Sequence, residues 1–336
     1  MTDASDDTDD TDDQLPAPAP RADRMLTAAE FHRLADVPPE VEWFANITNP
    51  STRRAYQAAV TDFMRFTGIA RPDECRIVTR AHVIAWRDDL RQRRNRHGQP
   101  WSDASIRHRL AALASLFEYL CDRNAVTHNP VKGVERPKSD SGEGKTPAIG
   151  DHQARKLLDA PQDETVKARR DRAILSTLLF HALRRAELCK LTVADFRHMR
   201  KGVPHLRVSG KGGKRRYLPL HPGTNALIHD YLLAAGHGDD DNGALFRPIR
   251  NNRTGDLESA LTPDGVYRLV KGYSRQLGFA IGAHALRATA ATNALDHQAD
   301  IAKVQEWLGH ANIATTRIYD HRRTKPEDSP TFKVAY

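Results

Sequence analysis

The chain reads as mainly α with one small β-sheet, arranged as an N-terminal helical domain followed by a larger α+β domain. Three observations lead there. Apolar residues recur at helical spacings of three and four on both sides of residues 139–149. A single stretch, 205–220, changes to strand-like alternation around a Gly-rich turn. A length of 336 residues is enough for two cores joined by a Pro-, Gly- and Ser-rich segment.

Residues 1–20 hold seven Asp and no Lys or Arg, with a Pro-rich end, too little apolar matter to offset the entropy of ordering. A disordered acidic tail and lead-in are therefore expected over 1–39. From 40 to 138 the pattern predicts a helical domain. Ser51 is suited to cap a helix that places Tyr56, Val60, Phe63 and Phe66 on one side and closes at Gly68. A second helix follows Thr79, with Val83, Trp86 and Leu90 on one face. A third starts at Ser102 and carries the stripe Ile106, Leu110, Leu113, Phe117 and Leu120. Residues 139–149 lie within a stretch rich in Pro, Gly, Ser and charge, which predicts a linker.

The second domain is expected over 150–325. Helices near 151–160 and 165–180 come first. His205-Leu206-Arg207-Val208 and residues 215–220 then flank Ser209-Gly210-Lys211-Gly212-Gly213-Lys214, a β-hairpin signal. Helices resume from about Gly223, Thr262-Pro263 forms a cap with Pro in the first turn, and further helices are expected at 284–296, 301–308 and 312–320. Residues 326–336 remain as a C-terminal tail.

Charge and composition narrow the function. No apolar run approaches the roughly 20 residues of a membrane span, and no secretory signal stands at the N-terminus, so no membrane partner is expected. Cys75, Cys121 and Cys189 are widely spaced and outside any zinc or disulfide pattern, which suits a reducing cytoplasm. The net charge is +8, and the acidic opening leaves residues 21–336 seven charges more positive than that. Residues 51–138 alone carry 17 Lys and Arg against 9 Asp and Glu. Such a surplus points to a polyanion, and Arg53, Arg54, Arg91, Arg93, Arg94, Arg107 and Arg109, with Arg96, are the candidate contacts to duplex DNA. The Gly144-Lys145-Thr146 triplet is no phosphate-binding loop, because the required earlier glycine is Ser139.

Four separated stretches carry chemistry together: HALRRAEL (181–188), VSGKGGKRRYLPL (208–220), HALRATAAT (284–292) and LGHANIATTRIYDH (308–321). Across residues 40–325 the chain resembles the tyrosine recombinase/integrase family, also called the phage integrase family. In that pattern Arg184 matches the first arginine, with Glu187 three residues on. Lys211 matches the lysine of a G-K-G turn, His284 and Arg287 match an H-x-L-R pair, His310 matches the histidine of L-G-H, and Tyr319 matches the nucleophile. His181-Ala182 stands where Thr-Gly is commoner, and Ala288 where many members have a second histidine.

The residue types suit phosphodiester chemistry. Such a cleavage needs a nucleophile, charge compensation on the phosphoryl oxygens and a proton for the departing oxygen. Arg184 and Arg287 can each give planar two-donor contacts to non-bridging oxygens, which Lys cannot reproduce. A tyrosine with an unperturbed pKa of about 10 costs roughly 4 kcal/mol to ionise at neutral pH, so Tyr319 needs a base and nearby cations.

The resemblance implies that His284 takes the proton, that His310 hydrogen-bonds the phosphate and that Lys211 is the general acid for the 5′ oxygen. It further implies a SAM-like core-binding domain over 40–138 and a 3′-phosphotyrosyl intermediate formed without metal, ATP or other cofactor. The active assembly would be a homo-tetramer on two DNA sites, with residues 322–336 docking on a neighbouring subunit, and the work would be DNA integration or recombination, as in mobile elements. Competing expectations are a catalytically inactive, sequence-specific DNA-binding protein of the same fold, and a type IB topoisomerase-like or telomere-resolving enzyme.

Overall fold

Asn49 and Pro50, rather than Ser51, start the first long helix. The Asn49 side chain accepts from the N–H groups of Ser51 at 2.9 Å and Thr52 at 3.1 Å, and Pro50 supplies a first helical residue whose missing N–H costs nothing there. The computed structural model describes residues 26–95, 98–138, 148–210, 213–252 and 254–320. The chain divides into two compact units, Met1–Asp140 and Ser141–Tyr336.

Unit 1 contains α1 (Ala28–Ala35), α2 (Pro39–Asn46), α3 (Pro50–Thr67), a 3₁₀ turn at Pro72–Ile77, α4 (Arg80–Gln92) and α5 (Asp103–Asp122). The lead-in to residue 39 is thus not wholly irregular, and α1 and α2 are elements that periodicity did not place; residues 1–25 of the expected tail lie outside the described residues. The stripe on α5 is buried as expected, every one of Ile106, Leu110, Leu113, Phe117 and Leu120 being at most 3 % exposed. Val83, Trp86 and Leu90 of α4 meet it, together with Phe63 of α3 and Trp43 of α2. Each such side chain contributes about 1.5–3 kcal/mol on leaving water. On α3 the apolar face is shallower than its sequence suggests, since Tyr56 and Val60 are half-buried and Phe66 is exposed.

Unit 2 contains α6 (Asp151–Leu158), α7 (Val166–His181), α8 (Arg185–Leu188), α9 (Val193–Phe196), β1 (His198–Arg200), β2 (Val203–Ser209), β3 (Arg215–Pro219), α10 (Pro222–Ala235), α11 (Pro263–Gln276), α12 (Ala283–Asp296), α13 (Ile301–Leu308) and α14 (Ala314–Arg317). The α7 helix is the axis: Ala173, Ile174, Leu175 and Leu178 are fully buried, and it packs against α6, α10 and α12.

The expected hairpin gains a third strand, giving an antiparallel sheet in the order β1-β2-β3. The extra turn, Lys201-Gly202, holds both residues at positive φ, 50° and 74°, the geometry of a two-residue hairpin turn that favours Gly. In β2–β3 the pairs Leu206↔Leu218 and Val208↔Arg216 share the core face, so the period of two turns Arg216 inward beside Leu218. The last helix is shorter than expected: α14 spans four residues rather than nine.

No helix among the described residues is long and apolar enough to cross a membrane.

Candidate active site

Two helix ends build the centre of the site. α13 stops at Leu308 because Gly309 takes the left-handed conformation (φ 64°), and the N–H groups of Gly309 and His310 fold back onto the carbonyls of Glu306 (2.9 Å) and Gln305 (3.1 Å). This reversal throws the His310 ring clear of the helix. A Cβ at residue 309 would also lie 3.4 Å from the Arg216 side chain, so the small residue serves both turn and neighbour. α7 ends in the same way at Ala182, which adopts φ 50°, ψ 34° despite its Cβ.

Helix C-termini expose unpaired carbonyls and a partial negative charge, and both ends are used to hold guanidiniums. Arg287, on α12 and 1 % exposed, donates from Nη1 to the Ala182 carbonyl and from Nη2 to the Leu308 carbonyl at 2.6 Å. Its Nη2 also lies 2.9 Å from His310 Nε2, while its buried Nε has no hydrogen-bond partner among the described residues. Arg216 of β3 donates from Nε to the Trp307 carbonyl at 3.2 Å.

Glu187 ties these elements together. Its Oε1 accepts from Arg184 Nη1 at 2.8 Å and Arg216 Nη1 at 3.0 Å; its Oε2 accepts from the Arg184 backbone N–H at 2.8 Å and Arg216 Nη2 at 2.9 Å. All four acceptor directions are filled. Burial alone would raise this carboxyl, but the Arg216 and Arg184 donors overcome it and hold its pKa at about 2. The carboxylate fixes Arg184, which remains 38 % exposed at the side chain and free to meet a substrate.

Three guanidiniums around one carboxylate leave the site positive, and the histidines register it. Burial first, then Arg287, Arg184, His284 and Arg216, push His310 down to about 4. Desolvation at the rim, then Arg287, Arg184 and Arg185, lower the exposed His284. Arg287 itself is lowered to about 10, chiefly by burial, and stays charged at neutral pH. The Tyr319 ring lies 6.2 Å from that of His310, is 5 % exposed, and packs in an apolar cluster with Ala182, Ala288, Ala291, Leu295 and Leu308. Ala288, one of the two departures noted in the sequence, thus belongs to the cluster that holds Tyr319.

Arg184, Arg287, His310 and Tyr319 therefore come together, with His284 at the rim three residues before Arg287. Lys211 lies outside the described residues. The sequence reading assigned no role to three contributors. Arg216 signals itself only as a charge at an inward strand position two residues before Leu218. Thr316 holds His310 Nδ1 at 2.9 Å, and Thr292 Oγ1 donates to the Tyr319 carbonyl at 3.4 Å.

In unit 1 the candidate DNA contacts are mostly engaged within the fold. Arg53 donates to the carbonyls of Ile47 and Ala45, both at 2.9 Å. Arg93 and Arg109 both donate to Asp62 of α3, the latter at 3.1 Å, and Arg109 lies over the Trp101 ring at 4.1 Å. Arg107 donates to the Pro137 carbonyl, Arg94 to that of Gly98, and Arg91 pairs with Asp88 at 3.5 Å. Arg54 is exposed and makes no hydrogen bond or ion pair among the described residues. Arg96 lies outside them.

Residues 148–325 match the phage integrase family, and residues 45–126 match its N-terminal SAM-like domain. The tyrosine recombinase XerC of Herpetosiphon aurantiacus is 32% identical over 276 residues, covering 81% of this chain and 84% of that protein. Among solved structures, the XerH site-specific recombinase bound to a palindromic difH substrate in a post-cleavage complex superposes with a TM-score of 0.64 at 23% identity, over 80% of this chain and 76% of that one. A lambda integrase tetramer bound to a Holliday junction gives 0.61 at 17% identity, over 88% and 79%.

Proposed function

The chain belongs to the phage integrase family as a tyrosine-type site-specific recombinase, and we propose that it breaks and rejoins duplex DNA by attack of Tyr319 on a backbone phosphorus. One observation carries the reading: the guanidiniums of Arg184 and Arg287, the imidazole of His310 and the Tyr319 phenol meet around the Glu187–Arg216 pair. Arg184, exposed and oriented by Glu187, and Arg287, whose Nε has no partner among the described residues, are the groups that clamp the non-bridging oxygens. His284, three residues before Arg287 in a cationic rim, is assigned the phenol proton. Lys211 is assigned the proton for the departing 5′ oxygen. The Tyr oxygen bonds to phosphorus as the 5′ oxygen leaves, giving a 3′-phosphotyrosyl link and a 5′ hydroxyl. Attack by a 5′ hydroxyl of another strand reverses the step, which needs neither metal nor ATP.

Unit 1 supplies the basic contacts to duplex DNA through Arg54 and the outward faces of Arg53, Arg91, Arg93, Arg94, Arg107 and Arg109. The working assembly is a tetramer on two DNA sites, a reading supported by the fold shared with a tetrameric lambda integrase complex. Three free cysteines suit action in a reducing cytoplasm. The test is a nicked duplex that releases the short 5′-hydroxyl strand after cleavage. The wild type accumulates a covalent protein–DNA adduct in EDTA and Tyr319→Phe accumulates none; absence of the wild-type adduct favours the DNA-binding alternative.

A further inference from the structure

His310 has both ring nitrogens engaged by the protein, Nδ1 with Thr316 Oγ1 and Nε2 with Arg287 Nη2, each at 2.9 Å. A guanidinium only donates, so Nε2 is the acceptor and the neutral ring carries its proton on Nδ1, given to Thr316. In that form His310 has no N–H to offer a phosphate. Thr316 is fully buried, and its hydroxyl is the neighbour able to reverse its polarity, since it can accept or donate. The other groups facing the ring are Arg287, Arg184 and Arg216, three fixed cations, with the His284 imidazole and the Tyr319 phenol, whose ring lies 6.2 Å away.

We propose that Thr316 is a positioning residue that lets His310 exchange tautomers as DNA binds. Oγ1 accepts from Nδ1–H while Arg287 bonds Nε2; once a DNA phosphate takes the Arg287 donor, Oγ1 donates to Nδ1 and Nε2–H donates to a phosphoryl oxygen. One proton leaves Nδ1 and one reaches Nε2 through water, so the ring stays neutral and no DNA bond changes. Thr316 also accepts the Tyr319 N–H on its carbonyl at 3.0 Å, so one residue joins the histidine's ring to the nucleophile's backbone. The inference rests on the recombinase reading above and adds to it the route by which His310 acquires its donor.

Single-turnover adduct formation by the full-length protein, measured against pH on the nicked duplex, tests it. Thr316→Val and Thr316→Ala, which remove the hydroxyl, should slow cleavage by about tenfold to a hundredfold above neutral pH while DNA affinity stays within about threefold. The deficit should persist below neutral pH and shrink only as pH approaches 4, where an imidazolium carries N–H on both nitrogens. Thr316→Ser should recover most of the rate, and in a His310→Ala background Thr316→Val should cost less than about twofold. The proposal is overturned if the hydroxyl-free variants cleave within about threefold of wild type at every pH, if Ser is as slow as Val, or if Val is equally harmful without His310. A wild type that forms no adduct overturns the recombinase reading instead.

Discussion

Arginines serve the two units differently. In unit 1 most are spread over a helical surface, with Asp88 and several loop carbonyls as acceptors; Arg91 and Arg93 keep 46% and 36% of their side chains exposed, and Arg109, 16% exposed on Asp62, is drawn inward. In unit 2 Arg216 and Arg287 are held with little exposure on helix ends, and Arg216 converges with Arg184 on one carboxylate. Charge in the first region works as a sum, where position is forgiving. In the second it works as a geometry, where each donor has one direction.

Substitutions should separate the two uses. Arg287→Lys keeps the charge but cannot span Ala182, Leu308 and a phosphate, so cleavage should fall by about 10²- to 10³-fold with DNA affinity little changed, as read by single-turnover kinetics. Equal activity would make the site as forgiving as the surface. Removing one acceptor from each region extends the contrast. Glu187→Ala removes the acceptor of both Arg184 and Arg216 and should cost about 3–5 kcal/mol in urea unfolding, whereas Asp62→Ala leaves Arg93 able to turn toward water, strands only the half-buried Arg109 and should cost less, about 1–3 kcal/mol.

Acid should find unit 2 through its histidines. His181 and His310 are pushed to about 4 from an ordinary 6.5, burial leading in both, so each must stay neutral in the folded state. Their contribution is whole above about pH 6.5 and is lost as pH falls toward 4, because the unfolded chain takes up the protons first. The urea midpoint should decline over that window, and His181→Gln should flatten the decline. The smallest effect belongs to unit 1: Arg54→Ala should weaken DNA binding about two- to threefold and reduce the salt dependence by about one ion, whatever the DNA sequence.

Legibility followed the range of the interactions. The α5 stripe and the Val83–Trp86–Leu90 face were readable because a buried helix face repeats locally, and the L-G-H segment was readable because a helix stop needs Gly at a left-handed residue. α8, α9 and β1 were not, being three or four residues long and held by their surroundings. In the site, the family pattern supplied Arg184, His284, Arg287, His310 and Tyr319, but Arg216 meets Glu187 across 29 residues of chain, and no local period reports such a pair. Ala182 was visible as a departure. Its left-handed backbone and its bond to Arg287 come only from the packing of α7 against α12.

The most direct measurement is the identity of the residue bonded to DNA. Protease digestion and mass spectrometry of the adduct trapped on a nicked duplex should find a 3′-phosphonucleotide on Tyr319 and on no other side chain. A nucleotide on Tyr267, Tyr273 or any serine, with Tyr319 unmodified, would contradict the account.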